Sequence, residues 1–310
     1  MPHGMSKPFH LAATSLLASL IAGCSIIASP AAPTTDPSKP APPARATSPQ
    51  GSSQARPVSP FASLSSYLAH RAGQITAALY VKRTRKTWVF HGGVRQDTAS
   101  IVKVEIMGTA LWEAQHGKPL SAAERALMIP MIENSDNSAA TELLAAVGGP
   151  PAVQRFDRQA GLTDTTPSRK KYIPGTTLPG WGLTTTTAFD EVRLVSRFAY
   201  PNSVLTTVSR RYGLNLMKHV ESDQAWGVSG GRYGVLSGAT VALKNGWLPH
   251  QLATNSDWQI NSIGWVSGHG RDYVLAVLTN HNPSEAYGID TINTIARRIY
   301  AKLGSLSSAG

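Results

Sequence analysis

The chain has 310 residues, of which 42% are hydrophobic and 15% are charged, so it has enough apolar material for a folded domain with a real core. Its net charge is +11, but the basic residues are scattered, and the two tight clusters near residues 83–86 and 169–171 contain no interleaved aromatic residues. This distribution does not favour a nucleic-acid groove, and we expect no nucleic-acid partner. A single cysteine excludes an intrachain disulfide and a cysteine zinc site.

Residues 1–24 begin weakly basic and continue as an apolar run that ends Leu20-Ile21-Ala22-Gly23-Cys24. The run is too short to span a bilayer, and the small residues before the cysteine are typical of an export cleavage site. The pattern resembles a bacterial lipoprotein signal, which implies that Cys24 carries the lipid. We therefore expect an exported protein anchored by lipid to the outer face of the cell membrane. A plain secretory peptide with an incidental cysteine is the alternative.

Residues 25–60 are rich in Ala, Pro, Ser and Thr and lack the apolar content needed for a core, so we interpret them as an extended tether. The folded domain is expected over residues 61–305. Strands are predicted near residues 75–81, 87–91, 239–243, 258–266 and 273–279, and a closing helix over 285–303. Helices fill the middle of the chain. This order predicts an α+β fold in which an antiparallel sheet from both chain ends is flanked by helices, with an all-helical subdomain inserted.

The most informative stretch begins at Ala99-Ser100-Ile101-Val102-Lys103, where apolar residues on nearly every side predict a buried helix from Ser100 to about Gln115. At this spacing Ser100 and Lys103 share one helix face, which places an amine within reach of a hydroxyl. Desolvation and the helix dipole both lower the pKa of such a lysine, so Lys103 is a candidate base and Ser100 a candidate nucleophile.

Two further motifs lie at the boundaries of predicted elements: Ser135-Asp136-Asn137 at a predicted helix start, and Lys244-Asn245-Gly246 at the predicted end of a strand. Together the three motifs resemble the penicillin-recognising serine enzymes, in particular the class A β-lactamases and their D,D-peptidase relatives, over roughly residues 61–303. The resemblance implies an acyl-enzyme on Ser100, formed with a β-lactam or a D-alanyl peptide. It implies no metal and no organic cofactor, and we expect a monomer.

Carried over by motif, the resemblance assigns proton transfer to Lys103 and Ser135 and substrate binding to Asn137, Lys244 and Gly246. It also implies an oxyanion hole formed by the backbone N–H groups of Ser100 and Trp247. Asp136 is expected to brace its own loop. Asn245 stands where the family has Thr or Ser, and we expect its amide to donate to a substrate carboxylate. Arg232, in a glycine-rich stretch, is either a carboxylate anchor or a solvated side chain.

One departure from the family concerns deacylation. Class A enzymes use a glutamate on the long loop after the helical region, but the corresponding stretch here, residues 162–187, contains no glutamate and only one aspartate, Asp164. We expect Asp164 to brace its turn. The sequence thus leaves three functions open: a slow serine hydrolase of β-lactams, a D,D-peptidase of the cell wall, and a cell-wall-binding lipoprotein without turnover.

Overall fold

The computed structural model describes residues 58–231, 238–251 and 256–307. Cys24, the signal segment, the tether up to residue 57 and Arg232 lie outside the described residues, so the predictions made for them stay predictions. Among the residues that are described, no helix is long and apolar enough to cross a membrane. No group of His, Cys, Asp or Glu within the same ranges is arranged to hold a metal ion.

The strands form a five-stranded antiparallel sheet and a separate two-stranded pair. In chain order they are β1 (Gln74–Val81), β2 (Lys86–Phe90), β3 (Gln96–Asp97), β4 (Thr185–Thr186), β5 (Thr240–Gln251), β6 (Ser256–Gly268) and β7 (Arg271–Asn282). The large sheet has the order β2-β1-β7-β6-β5, so strands from both chain ends lie side by side as predicted. This order leaves β5 at one edge of the sheet.

Eight α-helices lie in the described part of the chain. They are α1 (Ser65–Ala69), α2 (Lys103–Ala114), α3 (Ala122–Glu133), α4 (Asn137–Ala146), α5 (Pro150–Ala160), α6 (Ala188–Ala199), α7 (Thr207–Lys218) and α8 (Glu285–Ser307). A capping box begins α3, where Ser121 and Glu124 satisfy each other's backbone N–H groups. Helix α5 ends at Gly161, which adopts the left-handed conformation.

Two apolar clusters occupy the two faces of the large sheet. Helix α8 covers one face with a cluster that includes Leu275, Ile292 and Ile299. The other face packs against α6 and the helical region, in which α2 is the most enclosed element, with Ile106 and Met107 fully buried. The predicted architecture of a sheet from both chain ends with a helical insertion is confirmed.

Helix α2 carries an unusual buried polar feature where it meets α5 and α6. Four carboxyl groups from three helices, Glu105 of α2, Asp157 of α5, and Asp190 and Glu191 at the start of α6, are at most 1% exposed. Within the described residues no hydrogen-bond donor reaches either oxygen of Glu105. Burial first, and then the neighbouring carboxyl groups, raise the pKa of Glu105 well above its ordinary value.

Asp190 is the best-satisfied member of this acidic cluster, because it accepts hydrogen bonds from the Asp164 N–H at 2.7 Å and the Thr165 hydroxyl at 2.9 Å. Its pKa is nevertheless raised, chiefly by burial, as are those of Asp157 and Glu191. Arg193 lies 3.8 Å from Asp190, and Arg158 lowers the pKa of Asp157 only as a lesser cause. Cationic side chains therefore do not compensate the cluster, which favours the protonated acids.

When a carboxyl group has a higher pKa in the folded than in the unfolded protein, its contribution to stability depends on pH. That contribution is fully present below the unfolded pKa of about 4 and is lost as the pH rises through the folded pKa. We therefore expect Glu105→Gln, which removes one such acid, to gain thermal stability relative to the wild type by several degrees between pH 5 and pH 8. Thermal unfolding across this pH range measures the difference. Glu142→Gln on the exposed face of α4 is the matched control and should show no such trend. A variant whose relative stability is independent of pH would contradict the protonated cluster.

Candidate active site

Ser100 lies on a short 3-10 turn, Ala99–Val102, that runs directly into α2. The α-helix therefore begins at Lys103 and not at Ser100 as predicted. In a 3-10 turn residues three apart are nearly eclipsed, which brings the Lys103 Nζ to 3.0 Å from the Ser100 Oγ. The preceding residue, Ala99, is held at φ 47°, a conformation that alanine rarely adopts and that is enriched at functional sites.

The amine of Lys103 is completely buried and surrounded by oxygen atoms. Besides Ser100, it lies 2.6 Å from the Ser135 carbonyl oxygen, 3.0 Å from the Ser135 Oγ and 2.8 Å from the Asn137 Oδ1. The structure thus brings together Ser100, Lys103, Ser135 and Asn137. A neutral amine has two N–H donors, which suit the two carbonyl oxygens, and its lone pair remains for a serine hydroxyl.

The pKa of Lys103 is lowered to about 6, mainly by burial and secondly by repulsion from Lys244, while Asp136 acts weakly in the opposite direction. Near pH 7 the amine is therefore mostly neutral and able to take a proton from Ser100. The ring of Trp181 lies 4.9 Å from the Nζ, a contact that favours the charged form, but the cost of desolvation outweighs it.

The second motif is placed by the start of α4. Ser135 has φ 57°, in the left-handed region, and this turn directs both its carbonyl and its hydroxyl to Lys103. Asp136 caps the helix by accepting a hydrogen bond from the Ala139 N–H at 2.7 Å, as the predicted bracing role requires. Asn137 follows at the first helical position, with its side chain exposed at the mouth of the site.

The third motif lies within β5, which is longer than predicted: the strand continues through Lys244-Asn245-Gly246-Trp247 to Gln251. Gly246 lies against the turn that carries Ser100, so closely that a Cβ there would be 2.7 Å from the Ser100 backbone nitrogen. The Asn245 carbonyl accepts a hydrogen bond from the Lys244 Nζ at 3.0 Å. Trp247 directly follows Gly246 on the same strand, so its backbone N–H is next in the chain to this close approach.

Lys244 is fully buried behind the motif residues, and burial lowers its pKa to about 7. Its Nζ donates to the Asn245 carbonyl, and its charge acts on Lys103. The arrangement fits an electrostatic role toward the Ser135–Lys103 pair better than direct contact with a substrate.

The expectation for Asn245 disagrees with the structure. Its side chain is fully buried, and its amide donates to the backbone carbonyls of Gln224 at 2.7 Å and Trp226 at 3.1 Å. Both N–H groups are thus engaged on the side of the strand away from the nucleophile. The Asn245 amide fixes the segment before β5 and has no donor left for a substrate carboxylate.

A cleft of about 220 Å³ opens beside Ser100. Its walls come from the turn at Ser100, the start of α4, the loop over residues 162–187 and the ends of β5 and β6. The residues that line it are Ala99, Ser100, Ser135, Asn137, Ile173, Leu178, Pro179, Trp181, Gly182, Trp247, Leu248, Pro249 and Trp258. None of these residues is charged.

Sequence reasoning missed most of the lining residues, among them the two large aromatic residues Trp181 and Trp258. Trp181 belongs to a 3-10 turn, Gly180–Leu183, and its indole N–H donates to the Thr141 hydroxyl at 3.1 Å. A large apolar residue between two glycines in a long loop was an available signal for Trp181. Trp258 lies on β6, where it pairs with Pro249 of β5, and nothing in its local sequence distinguishes it from a core residue.

No carboxylate from the loop over residues 162–187 approaches Ser100. Asp164 is exposed at the start of the loop, where it accepts from the Thr163 hydroxyl at 3.2 Å and offers its own N–H to Asp190. The site therefore contains a candidate base, Lys103, and the described residues that line the cleft include no acidic side chain that could activate water.

Comparisons with known proteins agree with this geometry. A sequence model described as the beta-lactamase enzyme family matches residues 121–303, and the chain belongs to that family. Among solved structures, a class A β-lactamase from Bacteroides cellulosilyticus is 17% identical with a TM-score of 0.68, covering 79% of this chain and 97% of that one.

Two further solved structures have the same fold. A class A β-lactamase from Mycobacterium abscessus is 22% identical with a TM-score of 0.64, covering 79% of this chain and 100% of that one. A reconstructed ancestral class A β-lactamase is 20% identical with a TM-score of 0.65, again covering 79% of this chain and 100% of that one. The fold is thus that of class A β-lactamases, and the family membership indicates a serine hydrolase.

The pKa of Lys103 sets an expectation for reactivity. The second-order rate of Ser100 acylation should rise with pH and reach half its maximum near pH 6, because the neutral amine is required. Removal of the repelling charge in Lys244→Met should move this midpoint upward by roughly half a unit or more. Labelling rates with a fluorescent penicillin between pH 4.5 and 8 measure both. A midpoint that stays in place in Lys244→Met would contradict the coupling between the two lysines.

Proposed function

We propose that the protein is an exported serine hydrolase that forms an acyl-enzyme on Ser100 with β-lactams or D-alanyl peptides and releases the acyl group slowly. The observation that carries the proposal is the buried amine of Lys103, which lies 3.0 Å from both the Ser100 and the Ser135 hydroxyl oxygens and has a pKa lowered to about 6. A nucleophile, its base and a proton donor are thus in hydrogen-bond contact.

In the proposed acylation step the Ser100 Oγ attacks the carbonyl carbon of the scissile amide while its proton passes to Lys103. Charge develops on the carbonyl oxygen, and we expect the backbone N–H groups of Ser100 and Trp247 to stabilise it. The C–N bond then breaks, and the Ser135 hydroxyl passes a proton from Lys103 to the leaving nitrogen. Every proton is carried by a group in contact with its donor, so the step needs no metal.

A non-catalytic binding function is less well supported. A binding protein would gain nothing from burying a lysine, whose desolvation is costly, against two serine hydroxyls. The left-handed backbone at Ala99 and Ser135 adds local strain that a simple binding cleft does not require.

Slow deacylation is supported by what lines the cleft. Water must lose a proton as it attacks the acyl-enzyme, and none of the described lining residues is acidic. Lys103 is the remaining base in contact with Ser100. The apolar walls around it, including Trp181, offer few polar atoms that would hold a water in position for attack.

Export and lipid anchoring are part of the same proposal, and they rest on the sequence alone: the apolar run that ends at Cys24 and the proline-rich segment that follows it. An anchored hydrolase on the outer face of the membrane would meet both wall peptides and β-lactams.

We expect a fluorescent penicillin to label the wild-type protein stoichiometrically and to persist for many minutes. Ser100→Ala should abolish the label, and Lys103→Ala should slow labelling by several orders of magnitude, because the two residues act as a unit. Ser138→Ala, an exposed serine on α4, is the matched control and should label normally. Intact-mass spectrometry over time measures the acyl-enzyme directly.

Two outcomes would contradict this mechanism. Labelling that survives Ser100→Ala would show that the nucleophile is another residue. Rapid steady-state hydrolysis of a chromogenic cephalosporin, without detectable acyl-enzyme, would show that an efficient deacylating base is present.

The anchoring proposal has its own test. Cys24→Ala expressed in a bacterial host should either remain unprocessed or appear in the soluble fraction, whereas the wild type should partition with membranes and incorporate labelled fatty acid. A mutant that is processed at the same site and remains membrane-bound would show that another segment anchors the protein.

A further inference from the structure

The cleft beside Ser100 is lined mostly by apolar residues, with its polar residues at one end. Of its lining side chains only Ser100, Ser135 and Asn137 are polar, and these three lie together at the catalytic end. The remaining lining residues are apolar: Trp181 and Trp258, aliphatic and proline residues of the loop over residues 162–187 and of β5, and Trp247, whose ring lies toward Trp226 on the other face of β5.

Two of the groups expected to bind the substrate, Asn245 and Lys244, do not reach this wall. The Asn245 amide donates to two backbone carbonyls on the other side of β5. Lys244 has no solvent exposure, and its pKa is lowered to about 7. Since no charged side chain lines the described cleft, a carboxylate placed there would lose its hydration without gaining a counter-charge.

An uncharged, apolar group would instead gain binding free energy by entering the cleft. A dry apolar cavity of about 150 Å³ holds a benzene molecule, so a cleft of about 220 Å³ has room for an aryl ring with a short linker, or for an alkyl chain of several carbons. Burial of each methylene contributes about 0.8 kcal/mol, which corresponds to roughly a four-fold gain in binding.

We propose that the acyl site selects uncharged carbonyl compounds with an apolar acyl group, and that the protein cleaves neutral aryl or alkyl esters as well as amides. The inference rests on the proposed acyl-enzyme chemistry and names its substrate class. The Ser100 Oγ attacks the ester carbonyl and gives its proton to Lys103. The C–O bond then breaks, the alcohol leaves with a proton relayed through Ser135, and water later releases the acyl group as an acid.

Matched ester pairs test the selectivity. p-Nitrophenyl hexanoate and the mono-p-nitrophenyl ester of adipic acid present the same six-carbon acyl group without and with a terminal carboxylate. The neutral ester should give at least a ten-fold higher kcat/KM, read from the nitrophenol burst because kcat/KM reports acylation even when deacylation is slow. From acetate to hexanoate, kcat/KM should rise about two- to four-fold for each CH2. Ser100→Ala should remove the burst for every ester.

A designed charge tests the same point from the side of the protein. Leu178→Arg places a cation on the loop wall of the cleft and should shift the preference toward the adipate monoester by at least ten-fold. Thr177→Arg adds the same charge to the neighbouring exposed position outside the cleft and should leave the ratio unchanged.

A β-lactam pair separates this inference from the proposed function. Benzylpenicillin methyl ester should acylate Ser100 at least as fast as the free acid. If the free acid is clearly preferred, or if the adipate monoester equals or exceeds the hexanoate, the inference is wrong while the acyl-enzyme mechanism stands. A carboxylate preference that disappears in Arg232→Ala would overturn it by identifying that residue as an anchor. If no substrate acylates Ser100, both fail.

Discussion

The burial of the Lys103 amine is the constraint on which the rest of the site depends. Three oxygen atoms from the Ser135–Asn137 segment and one from Ser100 surround it, so the 3-10 turn, the start of α2 and the start of α4 must all converge on one nitrogen. A charged amine in this position would be costly, and the lowered pKa is the consequence. The same desolvation that makes Lys103 a base also requires a rigid, well-packed helix beneath it, which explains why α2 is apolar on nearly every side.

Local motifs made the catalytic half of the site predictable. A serine and a lysine three residues apart at the start of a buried stretch define their own geometry, and that geometry survives the replacement of the first helical turn by a 3-10 turn. The Ser135-Asp136-Asn137 motif was equally readable, because Asp136 is a good helix cap and so fixes where α4 begins. Its neighbours are then placed by a single turn of backbone.

Contacts between distant segments were not predictable in the same way. The acidic cluster joins Glu105, Asp157, Asp190 and Glu191 from three helices, and no spacing in the sequence connects them. The cleft wall likewise joins Trp181 and Trp258, which are far apart in the chain and belong to a turn and to a strand. Sequence patterns indicate which face of an element is apolar. Tertiary packing decides which faces meet, and here it places tryptophans in the cleft. The family resemblance had led us to expect groups that bind a carboxylate there.

The error over Asn245 has a specific cause in the length of β5. The predicted strand stopped at Leu243, which left the next residues free to point anywhere, whereas the observed strand continues to Gln251. In a continuous strand successive side chains alternate, so Gly246 faces the Ser100 turn while Asn245 and Trp247 belong to the opposite face. Both contacts agree with this: the Asn245 amide donates to the Trp226 carbonyl, and the Trp247 ring lies 6.1 Å from the Trp226 ring. The close approach of Gly246 to the Ser100 turn is therefore the same constraint that turns the Asn245 side chain away from Ser100.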